Sequence, residues 1–252
     1  MAALIEEATI EAVFDKQHET LSGTGLIGGA EATLSYQSMP DDTSQLIIKS
    51  QNAGRTLLGL DILDTIRGGD LTLTNNYQNK QFDNFTTDIH ITNFSVIEAP
   101  RSIRMLSVLS LVGVYSLIEG DGTKFDVGVA TIKTEGNRRI LEQVTASGQA
   151  LKFALAGEFD RETEELQVRG ILAPLSLLSD LIGIIPFFSD MIIGQDRHGL
   201  LATQFEMSGQ ITDPVTTINP SSVIAPGLFR NLLSPKWFTE ESGTRLQTPT
   251  EK

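Results

Sequence analysis

The sequence predicts a mainly β protein: a long curved antiparallel sheet, forming a groove or a partly closed sheet, with several short apolar helices. Apolar and polar residues alternate with period two over most of the 252 residues, which is typical of strands with one dry and one wet face. A few runs with helical spacing interrupt this alternation. These two observations favour one continuous domain over residues 1–233, followed by a polar tail at 234–252.

The alternation is clearest in a predicted hairpin. Leu151, Phe153 and Leu155 share one side of a strand at residues 151–159. A polar turn at 160–163 and a return strand through Val168 complete the hairpin. The same pattern predicts further strands at residues 5–14, 30–37, 45–51, 70–77, 85–91, 125–129, 139–145 and 201–207.

Helices are predicted where apolar residues recur at helical spacing. The first covers residues 53–66, with Asn52 as its N-cap and Gly68-Gly69 as its end. Others are predicted at residues 100–118, 175–181, 187–193 and 226–233.

Composition excludes several function classes. The chain carries 32 acidic against 19 basic residues, a net charge of −13, which argues against nucleic acid and against a polybasic membrane-surface patch. No cysteine is present, so disulfides and thiolate chemistry are excluded. The first 14 residues hold three glutamates and no basic residue, unlike a signal peptide, and we expect the chain to be part of a longer protein.

No catalytic, metal-binding or cofactor-binding pattern is predicted. The histidines lack metal-ligand spacing; they are His18, His90 and His198. The glycines at 23–29 lack the Lys-Ser/Thr that closes a phosphate-binding loop, so we interpret them as a turn between strands. The acidic pairs at 41–42 and 164–165 lie in predicted turns, where solvated carboxylates are normal. We therefore expect no enzyme activity, no metal and no cofactor.

Two apolar segments, 105–118 and 177–193, are candidates for contact with a membrane or groove. The first is shorter than the roughly 20 residues that span a bilayer, and Asp180, Pro186 and Asp190 interrupt the second. They either close the open end of the sheet or flank a cavity or a bilayer. The candidate contact residues are Leu106, Leu109, Leu178, Leu181, Ile185, Phe187 and Phe188.

Several runs resemble a known family in order and composition. AGRTLLGLDILDTIRGGDLTL (53–73) has an alanine-glycine start, a leucine-rich stretch and an arginine-glycine-glycine entry to a strand. EAPRSIRMLSVLSLVGVYSLIEGDGTKFD (98–126) is an apolar stretch ending in a glycine-acid-glycine turn. VRGILAP (168–174) precedes LSLLSDLIGIIPFFSDMIIG, and GLLATQFEMSGQITDPVTTINPSSVIAPGLFRNLL covers 199–233. Together they resemble the C-terminal region of AsmA-like envelope proteins, of the AsmA/TamB-type bridge-like lipid transport superfamily.

The resemblance implies a sheet whose concave apolar face carries phospholipid acyl chains in the periplasm of a Gram-negative bacterium. It also implies a role in outer-membrane assembly or lipid transport, membrane contact, other envelope proteins as partners, and an inner-membrane anchor that this chain lacks. From the alternation, the residues that we expect to contact lipid are Phe125, Val127, Val129, Leu151, Phe153, Leu155 and Phe205.

Three alternatives remain at this point. One is a structural or interaction domain whose apolar face is closed by its own helices. Another is an outer-membrane barrel, although one Trp and three Tyr are few for aromatic girdles. The last is an enzyme of unidentified type.

Overall fold

The computed structural model describes residues 5–14, 19–39, 41–78, 83–97, 122–149, 151–174 and 203–219. These residues form 12 strands and one short helix. The elements are β1 (Ile5–Phe14), β2 (Glu19–Ile27), β3 (Ala30–Ser38), β4 (Ser44–Ser50), α1 (Ala53–Gly59), β5 (Ile66–Tyr77), β6 (Asn84–Val96), β7 (Thr123–Glu135), β8 (Arg138–Ser147), β9 (Leu151–Asp160), β10 (Glu165–Pro174), β11 (Thr203–Gln210) and β12 (Val215–Asn219).

The strands form one antiparallel sheet in which spatial order equals sequence order. Each strand pairs with the one before it and the one after it, so β1 and β12 are the two edges and the sheet is open. This confirms the predicted fold class. Of the predicted helices, those at 100–118, 175–181, 187–193 and 226–233 lie outside the described residues.

Register separates the sheet into two faces, because residues paired across antiparallel strands point to the same side. One row of paired residues is almost entirely apolar, and we call its side the apolar face. That row is Leu34, Ile48, Leu73, Ile89, Ala130, Val144, Leu155, Gly170 and Phe205. The adjacent row is more polar and defines the polar face. It is Thr33, Lys49, Thr72, His90, Val129, Thr145, Ala154 and Ile171.

Helix α1 is shorter than the sequence predicts. Its N-cap is as expected, because the Asn52 side-chain oxygen accepts the Arg55 backbone N–H at 3.1 Å. The helix ends at Gly59, not at residue 66. Asp61 adopts a left-handed φ of 56°, and the N–H of Ile62 donates to the Leu57 carbonyl at 3.0 Å, which is a Schellman end.

The glycines that were assigned to end this helix instead lie inside β5. Gly68 and Gly69 have φ of 65° and 85°. A β-carbon on Gly69 would lie 2.9 Å from Cβ of Phe94 on the neighbouring strand. The predicted helix stop is therefore wrong, and these glycines permit an irregular, closely approached segment of a strand.

The glycine-rich stretch at 23–29 divides between a strand and a turn. Gly28 and Gly29 form the β2–β3 turn, with φ of 59° and 73°. Gly23 lies within β2, where a β-carbon would come 2.8 Å from the Thr9 carbonyl oxygen of β1. The turn was predicted, whereas strand β2 was not.

Candidate functional site

The apolar face carries one continuous cluster of buried side chains that runs from β2 to β9. Helix α1 contributes Ala53 and Leu57 and packs chiefly on β5. The cluster comprises Ile27, Ala32, Ile48, Ala53, Leu57, Ile66, Leu71, Leu73, Ile89, Ile91, Phe94, Phe125, Ala146 and Leu151. It lies toward the end of the strands where α1 sits, which we call the helix end of the sheet.

Exposure on the apolar face varies across the sheet. Leu71 and Leu73 are each only 2% exposed, whereas many apolar side chains farther along or across the sheet are half-buried. These half-buried apolar side chains include Leu34, Leu46, Ile132, Leu141, Val144, Leu155 and Leu166. Buried residues also occur away from the helix end, among them Thr134, Tyr77, Val168 and Phe205. The face therefore has a closed part near α1 and half-buried stretches beyond it.

Aromatic rings cover glycines on the apolar face. The ring of Phe94 lies against Gly128, where a β-carbon would sit 2.9 Å from its Cζ, and the ring of Phe205 lies against Gly170 in the same way. Phe94 stacks on Phe125 at a centroid distance of 5.4 Å, and Phe125 meets Phe153 edge-on at 5.5 Å. The missing side chains give these rings room to lie flat and keep the apolar surface continuous.

A polar row crosses the apolar face next to the half-buried residues. Thr87 donates its hydroxyl to the Asn75 side-chain oxygen at 2.7 Å, and Asn75 donates to the Tyr77 hydroxyl at 3.2 Å. Tyr77 also contacts the ring of Phe85 at 5.1 Å. Burial raises the pKa of Tyr77, so its hydroxyl stays neutral. This row marks the start of a more polar region, which we call the far end of the sheet.

The far end also holds two neighbouring arginines. Arg139 pairs with Thr134 of β7 and Phe159 of β9, which places it on the apolar face. Arg138 lies on the polar face and forms an ion pair with Glu158. The sequence predicts Arg139 at the start of the strand 139–145 and indicates no function for either arginine. The sequence did contain a signal for the position of Arg139. Arg139 and Leu141 are two residues apart in one strand, so their side chains point to the same face of the sheet.

The polar face is hydrophilic from β4 to β7, whereas Ala154 and Ile171 on β9 and β10 of the same face are each only 1% exposed. A ladder of hydrogen bonds runs from Gln45 through Asn76 to Asp88, and Thr131 donates to the same Asp88 at 2.9 Å. Near the β1 edge this face holds a shallow cavity of about 450 Å³. Its lining is mostly hydroxyl, glycine and charged residues: Thr9, Glu11, Ser22, Gly23, Thr24, Thr33, Leu34, Ser35, Ile47 and Lys49.

Most of the described lipid-contact candidates lie together on the apolar face. Phe125, Leu151 and Phe153 belong to or pack against the buried cluster, and Leu155 and Phe205 share one paired row. The helix candidates lie outside the described residues; they are Leu106, Leu109, Leu178, Leu181, Ile185, Phe187 and Phe188.

Val127 and Val129 differ from the predicted alternation. Val129 pairs with His90, is 39% exposed and lies on the polar face, while its neighbours in sequence face the cluster. Val127 pairs with Thr92 and is half-buried outside the cluster. The alternation is broken here because Asn93, on the adjacent strand, adopts a φ of 53°.

Within the described part of the chain, no three His, Asp or Glu residues are grouped so that they could hold a metal ion. No helix in the same residues has the length and apolarity needed to cross a bilayer. Comparison with family models, curated proteins and solved structures finds no match to this chain.

Proposed function

We propose that this protein is a non-enzymatic module that binds phospholipid acyl chains along the apolar face of its sheet. One observation carries the proposal: half-buried apolar side chains continue the buried cluster across β7, β8 and β9. Binding an acyl chain there would remove water from both surfaces. Each buried methylene contributes about 0.8 kcal/mol, so such a surface can hold lipid without specific polar contacts.

The limited cover that α1 gives to the apolar face supports the proposal. Among the described residues α1 is the one helix, and it contacts β5 far more than β2, β3 or β6. Beyond β6 no described element lies over the half-buried row that includes Val144 and Leu155. Half-buried apolar side chains that no described element covers can contact a bound apolar molecule.

The sequence resemblance to AsmA-like C-terminal regions is part of the same proposal. It would place the protein in the periplasm of a Gram-negative cell envelope, with membrane contact and other envelope proteins as partners. It would also make lipid transport or outer-membrane assembly the process served. The open sheet is compatible with such a role, because among the described strands β1 and β12 each pair on one side and could extend a groove.

A matched pair of substitutions tests the proposal. Leu141 and Ile140 are adjacent, apolar and half-buried, but they point to the apolar and the polar face respectively. We expect Leu141→Glu to weaken binding of a fluorescent fatty acid by about tenfold or more, because a carboxylate would be desolvated beside the acyl chain. Ile140→Glu should bind as the wild type does.

The outcome separates lipid binding from the alternative. Equal affinity of the two variants, or no binding by the wild-type chain, would contradict the proposal. A wild-type chain that binds no lipid would favour a structural or interaction domain, as the low exposure of Leu71 and Leu73 near α1 also does. Circular dichroism spectra of both variants establish that the sheet is retained.

A further inference from the structure

Arg139 is a cation on a face that is otherwise apolar. Its partners across the sheet are Thr134, which is buried, and the half-buried Phe159. It shares this side with Leu141, two residues along the same strand. Its guanidinium donates to the Gly136 carbonyl oxygen at 2.8 Å. No carboxylate among the described residues forms an ion pair with it.

The carboxylates around Arg139 are engaged elsewhere. Glu158 pairs with Arg138 on the polar face. Glu135 pairs with Lys133 at 2.6 Å. The Asp160 carboxylate accepts hydrogen bonds from the backbone N–H groups of Glu162 at 2.8 Å and Thr163 at 3.0 Å. The Glu162 carboxylate accepts one from the Asn137 side-chain amide at 2.9 Å.

The electrostatic surroundings of Arg139 are unfavourable to its charge. Burial lowers the pKa of the Arg139 guanidinium, and the positive charge of Arg161 lowers it further. The stem of Arg139 lies on the apolar face, and no carboxylate among the described residues forms an ion pair with its guanidinium. The guanidinium is therefore available to an anion at this end of the sheet.

The geometry points to the anion's source. We propose that Arg139 binds the phosphate of a phospholipid whose acyl chain lies along the apolar face. This inference rests on the proposed function and adds the residue that binds the phosphate and the direction of the lipid, with the headgroup at the far end. Next to Arg139 the half-buried apolar side chains of this face are Ile132, Leu141, Val144 and Leu155, which run across β7, β8 and β9. The acyl chain of a lipid held at Arg139 would lie along these residues.

Arginine suits this role because its planar guanidinium forms two parallel hydrogen bonds to a phosphate. The neighbouring polar groups suit it as well. The Thr134 side chain lies beside Arg139, Thr87 lies two strands away, and Asn75 and Tyr77 lie three strands away. A headgroup at this end would leave the half-buried residues of β8 and β9 to the acyl chain.

The test compares two lipids with identical acyl chains: a phosphatidylglycerol and the corresponding uncharged diacylglycerol. Affinities are measured by tryptophan or probe fluorescence for the wild-type chain, Arg139→Gln and Arg138→Gln, with inorganic phosphate as a separate ligand. We expect the wild type to prefer the phospholipid by about tenfold, the value of one charge-assisted hydrogen bond or more. Arg139→Gln should lose that preference, and Arg138→Gln should keep it.

Each other result overturns the inference. Equal wild-type affinity for the two lipids would remove the phosphate site while leaving acyl-chain binding intact. Binding of neither lipid would remove the proposed function as well. Inorganic phosphate binding as tightly as the phospholipid would identify a free-anion site. Because the lipid preference is measured on the wild-type chain, the inference stays testable even if Arg139→Gln does not fold.

Discussion

The ring of Phe94 on β6 lies diagonally over Gly128 on β7 and occupies the space that a side chain at 128 would fill. A β-carbon at Gly128 would lie 2.9 Å from Cζ and 3.0 Å from Cε1 of Phe94. The ring is held between this glycine and Phe125, on which it stacks. One missing methyl group thus sets the position of the aromatic part of the apolar face.

The first prediction concerns this contact. Gly128→Ala should destabilise the fold by about 1–3 kcal/mol, because the added methyl displaces the Phe94 ring. Urea unfolding measures the change. Phe94→Leu alone should also be destabilising, but the double variant should lose less than the sum of the two. Strictly additive losses would contradict the contact.

The second prediction is that a glycine-to-alanine substitution in α1 destabilises the protein, opposite to the usual effect of that substitution in a helix. Replacing glycine by alanine inside a helix normally stabilises it by about 0.5–1 kcal/mol. At Gly54 in α1 the new β-carbon would collide with the Ile66 carbonyl oxygen of β5. We therefore expect Gly54→Ala to be destabilising by about 1–3 kcal/mol. Leu58→Ala, on the exposed side of the same helix, should stay within about 0.5 kcal/mol of wild type.

The third prediction is a dependence of stability on pH. The backbone N–H groups of Thr163 and Glu162 lower the pKa of Asp160 below its ordinary 3.8. A depressed folded-state pKa contributes stability above the unfolded value, and that contribution is lost as pH falls through the folded value. Asp160→Asn should therefore be less stable than wild type at pH 7, with the difference shrinking below about pH 4.

Denaturant midpoints at several pH values measure that difference. Asp126→Asn, at an exposed strand position, is the matched control for removing one carboxylate from the chain. A gap between wild type and Asp160→Asn that stays constant down to pH 2 would be inconsistent with the turn geometry.

The fourth prediction concerns the β1 edge. All ten residues of β1 are exposed and the strand pairs only with β2, with a register shift between Glu6 and Thr9. Its amides should exchange with deuterium about tenfold or more faster than those of β6, which is paired on both sides. Comparable protection in the two strands would show that another element covers this edge.

Regular alternation was a sound guide where the strands are regular. Leu151, Phe153 and Leu155 were predicted on one side, and all three lie on the apolar face because β9 and β10 pair without interruption. The alternation wrongly placed Val129 on the same side as Phe125. The residue with a left-handed backbone at this point of the sheet, Asn93, lies on the neighbouring strand β6. A single sequence carries no mark of a break that a neighbouring strand imposes.

The helix end illustrates a different limit. Ile62 and Leu63 continue the apolar spacing of α1, yet they are 45% and 42% exposed. Asp61 stops the helix by adopting a conformation usually left to glycine, so the usual stop signal was absent. Strand β2 was missed for a related reason, since its glycines serve the approach of β1 and not a loop.

Arg139 is the functional candidate that sequence reasoning passed over. Its spacing of two residues from Leu141 predicts that both side chains lie on the same face. That no carboxylate among the described residues pairs with Arg139 depends on which residues the fold brings near it. That arrangement involves Lys133, Asn137 and the 160–163 turn, which come together only across two hairpins.

Site-specific photocrosslinking tests the central claim most directly. A photoreactive phenylalanine analogue is placed at Leu141 or Val144 on the apolar face, and at Ile140 or Thr145 on the polar face, in adjacent positions of β8. After irradiation with phospholipid vesicles, mass spectrometry identifies attached lipid. We predict lipid adducts at Leu141 and Val144 with little or none at Ile140 and Thr145. Equal labelling at all four positions, or adducts confined to the polar face, would contradict acyl-chain binding on the apolar face.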